Sequence, residues 1–347
     1  MAAHIAKGGE YLIAETVCTD VFTPEDFTDE QRSMADTTEQ FVANEIMPNI
    51  DEIEHQNFDL VVEKMKKCGD LGLLMMDAPE QYGGLELDKA STMLVAEKIS
   101  YAGSFSVSFS AHTGIGTLPL IYYGTKEQKE KYLNKIISGE WCAAYCLTEP
   151  GSGSDALGAQ ATAVLSPDGK HYILNGTKQF ITNGGFANLF TIFAKIDKEH
   201  FTAFLVEKDF PGLVVGPEEK KLGIKGSSTT QIILDNCKVP VGNLLGEIGK
   251  GHKIAFNVLN VGRYKLGAAV NGAARKALAV GADELRGGQA EKSPNPAREA
   301  VAAVHRQVTP TAHPAPFNPV RRFFPLRKRF LRSARWRRPL SRTGATW

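Results

Sequence analysis

Residues 145–155 read Tyr-Cys-Leu-Thr-Glu-Pro-Gly-Ser-Gly-Ser-Asp. An apolar strand runs in through Trp141 and Tyr145, then breaks into a loop carrying Thr148, Ser152 and Ser154, with Gly151 and Gly153 between them. Glycine lets backbone N–H groups approach a ligand closely, and successive N–H groups in a tight turn make an anion-binding concavity. The hydroxyls add side-chain donors and acceptors. Such a loop suits a phosphate, or a flat heterocycle with carbonyl and N–H edges. On composition alone, an ordinary strand-to-loop connection stands equally. It is not a Walker loop, because no Gly-Lys-Ser/Thr follows, and no G-x-G-x-x-G opens a helix here.

Downstream of the loop the apolar period is that of strands. Residues 159–165 and 171–175 flank the turn signal Ser166-Pro167-Asp168-Gly169, and short runs at 190–195, 201–207 and 231–234 follow. This spacing predicts a small β-barrel or sandwich within 141–246, ending near Pro240. Upstream, 29–140 reads as helix. Phe41, Ile46 and Ile50 recur at turn-like spacings, and Val61, Val62, Met65 and Cys68 stack before Gly69, which is expected to end its segment. A further helix runs through Met93, Leu94, Glu97 and Ile99. Thr125 to Gln128 is a capping box opening a helix with Tyr132, Leu133, Ile136 and Ile137 inward, stopped at Gly139. Residues 1–28 read as an arm with little structure. From Gly251 the pattern is helical again, and small residues at 267–269 and 272–274 would allow close helix packing. The fold class is α+β.

The net charge of +1 over 347 residues conceals a split. Residues 1–285 carry 26 basic against 37 acidic residues, and residues 286–347 carry 14 against 2. The last 62 residues use 12 Arg, 2 Lys and 8 of the 17 prolines, whereas the first part has 23 Lys and only 3 Arg. These are two kinds of sequence joined near residue 285. The five cysteines show neither a C-x-x-C pair nor a secreted framework, so buried reduced thiols are expected and metal ligation is not. No signal peptide, Arg-rich transit peptide or membrane-spanning apolar run is visible, and the expected location is the cytoplasm.

The loop is followed by Asn175-Gly176-Thr177-Lys178 and by Ile181-Thr182-Asn183-Gly184-Gly185. Together these stretches resemble the acyl-CoA dehydrogenase family of flavoproteins, over residues from about 22 to about 283. The resemblance implies an N-terminal helical domain (29–140), a middle β-barrel flavin and substrate domain (141–246) and the first helix of a C-terminal bundle (247–285). It also implies an oxidoreductase of fatty acid β-oxidation: FAD-dependent α,β-dehydrogenation of a fatty acyl-CoA to the trans-2-enoyl-CoA, with electrons passed to an electron-transferring flavoprotein. By matching motif, Tyr145, Leu147, Thr148, Gly153, Ser154, Phe180 and Thr182 would bind the cofactor. Ser154, Asn260 and Arg263 would contact substrate. Phe180 stands where the family often has tryptophan, which keeps ring stacking with less area.

No catalytic base can be named, so this chain is expected to turn over poorly or not at all. Some subfamilies place the glutamate immediately before the arginine, where this chain has Gly262, and no segment matches the other family location. Glu149 belongs to the flavin loop, where a structural role is favoured, and His112 reads as a hydrogen-bonded structural residue. The Leu259-Asn260-Val261-Gly262-Arg263 form and Ser110-Ala111-His112 most resemble the very-long-chain branch, whose members are longer. The part beyond the match would hold the base, the rest of the bundle and the contacts of a homodimer or homotetramer. The alternatives are a non-catalytic flavin- or acyl-CoA-binding fragment, and an acyl-CoA oxidase. Residues 286–347 read either as a basic tail for nucleic acid or anionic lipid, or as an out-of-frame translation. The abrupt change of composition fits the second better, so no nucleic-acid partner is expected.

Overall fold

A computed structural model describes residue 6 and residues 9–287. The two readings of the basic tail concern 286–347; residues 286 and 287 end a described helix, and 288–347 lies outside the described residues. The chain divides into two units, residues 1–279 and 280–347, and everything below concerns the first.

The N-terminal region is helical: α1 (Asp29–Phe41), α2 (Ile50–Glu54), α3 (Phe58–Asp70), α4 (Lys89–Ile99), α5 (Ser104–Ser110), α6 (Leu118–Tyr123) and α7 (Lys126–Ile137). Single π-helical stretches extend α1 over Val42–Ile46 and α5 over Ala111–Gly116. Capping chemistry starts the helices. The Thr125 hydroxyl accepts the Gln128 N–H, and the Gln128 side chain accepts the Thr125 N–H. α7 then buries Tyr132, Leu133, Ile136 and Ile137 as its spacing predicts, and the chain reverses at Gly139 with φ +76°. Phe41, Ile46, Val61, Met65, Cys68, Ile99 and Phe105 meet in one core.

Gly69 does not end α3. The helix continues to Asp70, and the left-handed residue is Gly72 with φ +77°. Gly69 is needed for a close approach instead: a Cβ there would stand 2.1 Å from the Ser138 carbonyl oxygen, in the turn after α7. Gly69→Ala is therefore expected to destabilise by about 1–3 kcal/mol through overpacking against backbone that cannot move aside. A urea midpoint that falls at unchanged slope would register it.

The middle region is a β-sheet domain: β1 (Ala143–Cys146), β2 (Thr162–Leu165), β3 (His171–Thr182), β4 (Leu189–Ile196), β5 (His200–Glu207), β6 (Leu213–Glu218), β7 (Thr229–Pro240) and β8 (Leu244–Leu245). The ladder runs β6-β7-β3-β2-β4-β5-β8, with β1 parallel to β4. Hydrogen bonding leaves β6 and β8 as ends, since β8 is only two residues long. β6 carries Gly216 and Pro217, which hid it from a reading of apolar period. β3 runs past Asn175 because register shifts at 174/176 and 178/181 carry the strand through residues that read as a break. One core contains Tyr145, Phe193, Phe201 and Leu205 with residues of α6, α7 and the next helix; another contains Phe190, Ile192, Phe204, Ile232 and Val239. Cys142 and Cys146 are buried free thiols in different cores.

α8 (Gly251–Gly287) enters the core through Ile254, Ala255 and Val258. A Cβ at Gly272 would stand 2.0 Å from the Glu97 carbonyl oxygen, so one of the expected small residues does permit close packing on α4. Among the described residues, no helix is long and apolar enough to cross a membrane.

Candidate functional site

The loop after β1 is held from inside. The Glu149 N–H donates to the Ser152 carbonyl at 3.0 Å, the Ser152 N–H returns a bond to the Glu149 carbonyl at 3.1 Å, and Ser152 Oγ donates to the Asp155 carbonyl. The Glu149 carboxylate points inward. It accepts the Gln160 N–H at 2.6 Å and the Ala161 N–H at 3.1 Å, and it pairs with Lys178 Nζ at 2.6 Å, with the two side chains 5% and 0% exposed. Lys178 also donates to the Leu147 carbonyl, and the Gln179 N–H to the Thr148 carbonyl. Burial depresses the Lys178 pKa, with the Glu149 charge opposing. Glu149 is thus the anchor between loop and β3, the structural role expected of it.

The register shift at 178/181 does the next piece of work. Phe180 takes φ +57°, an uncommon conformation for a bulky residue, and its ring is left 58% exposed. The bulge turns the ring out of the sheet into a cleft of about 370 Å³. That cleft is walled by Tyr145, Leu147 and Thr148 from the end of β1, Gly153 and Ser154 from the loop, and Phe180, Ile181 and Thr182 from β3. Ala111 and Ile115 close one side, and Phe256, Leu259 and Arg263 of α8 another.

All seven residues expected to bind a cofactor line this one cleft, as does Arg263. Among the described residues, the hydroxyls of Thr148, Ser154 and Thr182 make no hydrogen bond, and a Cβ at Gly153 would meet nothing within 4 Å. Tyr145 is more constrained: its Oη donates to the Ala255 carbonyl at 3.2 Å and its ring packs edge-on to Phe193. Asn260 does not reach the cleft. It accepts a hydrogen bond from Arg263 Nη1 at 2.7 Å and so braces that side chain.

A second cleft of about 350 Å³ adjoins the first through Ala111, Ile115, Thr182, Leu259 and Arg263. It runs between α5 with its π-helical extension and α8, past Ser106, Ser110 and Gly114 on one side and Gly262, Leu266 and Ala269 on the other. Its walls are mostly apolar. No carboxylate lines either cleft among the described residues. His112 sits behind the wall, fully buried. Its Nδ1 accepts the Ala143 N–H at 3.0 Å, which leaves Nε2–H to donate to the Ile136 carbonyl at 3.2 Å, and burial lowers its pKa to about 4. It joins α7 to β1, as a structural histidine should. Phe256 was not foreseen as a wall residue; it is an ordinary apolar residue whose role comes from packing alone.

This arrangement can hold a flat heterocycle against an exposed aromatic ring, with free hydroxyls at its edges, and an apolar chain beside it. Residues 28–140 match the family described as acyl-CoA dehydrogenase, N-terminal domain, and residues 144–237 its middle domain. The chain is 56% identical to a probable acyl-CoA dehydrogenase of Bacillus subtilis, over 81% of this chain and 47% of the relative. It is 44% identical to the mitochondrial very long-chain specific acyl-CoA dehydrogenase of Rattus norvegicus, over 62% of this chain and 34% of the relative. A crystal structure of an acyl-CoA dehydrogenase complexed with FAD from Bacillus anthracis superposes with a TM-score of 0.80 and 53% identity, covering 84% of this chain and 50% of that one. The chain spans about half the length of these relatives or less.

Proposed function

Since the chain belongs to the acyl-CoA dehydrogenase family, we propose that its two joined clefts are the flavin and acyl sites of an FAD-dependent fatty acyl-CoA dehydrogenase, making a trans-2-enoyl-CoA. The observation that carries this reading is the convergence of Phe180, Thr148, Ser154, Thr182 and Gly153 on one cleft with their polar groups unengaged. When bound, FAD supplies the hydride-accepting chemistry. Phe180 offers a stacking face, the hydroxyls offer donors and acceptors at the ring edges, and Gly153 lets backbone N–H groups approach closely. Arg263, held by Asn260, stands where both clefts meet and orients the thioester end of the substrate. The apolar cleft between α5 and α8 takes the acyl chain and excludes water from it. An electron-transferring flavoprotein as acceptor, assembly as a homodimer or homotetramer, and a cytoplasmic location complete the reading by likeness to the family.

One observation favours a second reading, ligand binding without turnover: among the described residues, neither cleft has a carboxylate to take the α-proton. Anaerobic addition of palmitoyl-CoA to the FAD-loaded protein separates the two. Bleaching of the flavin's visible absorbance supports the dehydrogenase, and a perturbed but unbleached spectrum supports binding alone. Failure to retain FAD at all would sink both. Phe180→Ala is expected to weaken FAD binding by about 1 kcal/mol, roughly fivefold, through lost ring stacking. Fluorescence titration of FAD would measure it.

A further inference from the structure

One buried charge cluster belongs to neither cleft's ligand chemistry. Lys265 Nζ lies 2.5 Å from Asp77 Oδ2, and Lys89 Nζ lies 2.6 Å from Oδ1 of the same carboxylate. The Asp77 and Lys265 side chains are nearly sealed from solvent, and the buried Tyr264 hydroxyl has no hydrogen-bond partner among the described residues. Burial alone would raise the Asp77 pKa, but the ammoniums of Lys265 and Lys89 more than offset it and hold it low. Apolar residues of similar volume would hold α8 to the turn that carries Asp77 as firmly as such a pair, because the pair must first be desolvated. A role beyond stability is therefore indicated, and the best-attested one is setting register.

The setting suits that role. α8 meets its neighbours here through glycines: a Cβ at Gly262 would stand 3.2 Å from Ile115 Cγ2, and Gly272 lies against the Glu97 carbonyl. Beyond the seated Ile254, Ala255 and Val258, these glycine contacts offer few knobs to resist sliding. Yet Leu259 and Arg263 must serve both clefts, and a slip of one helical turn, about 5.4 Å, would carry them off. Lys265 itself lines the apolar cleft. We propose that the Asp77–Lys265 ion pair is the register lock of α8, setting the axial position of Leu259, Gly262 and Arg263, so that Lys265 is a positioning residue for the acyl cleft. Only the acyl-CoA arm of the test rests on the function proposed above.

The test is made on the full chain carrying Ile115→Cys and Gly262→Cys, because a Cβ at Gly262 would stand 3.2 Å from the Ile115 side chain and a disulfide there would report register. Mild oxidation should cross-link this pair readily when the lock is intact, and about tenfold more slowly when Asp77→Leu and Lys265→Met are added, as lost proximity predicts. Equal rates would overturn the lock. Should the apolar double variant fail to fold, Asp77→Asn replaces it with the same expectation. In the FAD-loaded protein with its native Ile115 and Gly262, the apolar double variant should also bind palmitoyl-CoA about tenfold more weakly while FAD affinity stays within about twofold. A slowed cross-link with unchanged palmitoyl-CoA affinity would support the lock and overturn the placement of the acyl site on α8.

Discussion

Lys178→Met is expected to destabilise the protein by about 3–5 kcal/mol, because it leaves the Glu149 carboxylate buried without its cation. At the size of this unit that corresponds to a fall in Tm on the order of 10 °C. The loss should fall first on the loop, since Lys178 also donates to the Leu147 carbonyl and the neighbouring Gln179 N–H bonds Thr148. FAD retention should therefore drop more than the melting temperature alone would suggest. Adding Glu149→Leu removes the stranded charge but leaves the Gln160 and Ala161 N–H groups without their acceptor. Recovery should be partial, with about 1–3 kcal/mol still lost for the buried Ala161 N–H, while the Gln160 N–H lies on an exposed residue. Scanning calorimetry of the single and double variants checks this. A Lys178→Met protein that melts like the parent would remove the anchor role from the pair.

Acidification is expected to weaken the fold through His112 before most carboxylates are protonated. In the folded protein its pKa is about 4, against 6.5 for an unconstrained histidine. The folded state holds the neutral ring and the unfolded state takes the proton first, so stability rises with pH across this window. The contribution is whole above pH 6.5 and is lost progressively as pH falls toward about 4, amounting to about 3 kcal/mol. Protonation would also cancel the bond that Nδ1 accepts from the Ala143 N–H at the entry to β1. Urea unfolding at steps between pH 7 and 4.5 measures the slope, and His112→Asn should flatten it. Stability independent of pH over that range would contradict the buried neutral ring.

Local signals carried much of this chain. The box at Thr125 and Gln128, the inward set of α7 and the turn at Ser166 to Gly169 depend on neighbours within a few residues, and each stands where the spacing put it. The family resemblance likewise brought seven distant residues to one cleft, because the motifs around Thr148 and Thr182 are local patterns, joined where the Gln179 N–H bonds the Thr148 carbonyl. Gly69 was misread because a glycine needed for close approach and a glycine needed for a left-handed turn look the same in one dimension.

By itself, then, the order of residues determined the helical and strand regions and most of their segments, the family, and which loop faces the cleft. These follow from capping, apolar period and turn chemistry, all short-range along the chain. The tertiary structure decided the rest: that Phe180 is thrown outward by a bulge, that Glu149 is spent on Lys178, and that Asp77 meets Lys265 from 188 positions away. Each depends on which groups, far apart along the chain, meet in three dimensions, and no local pattern encodes that.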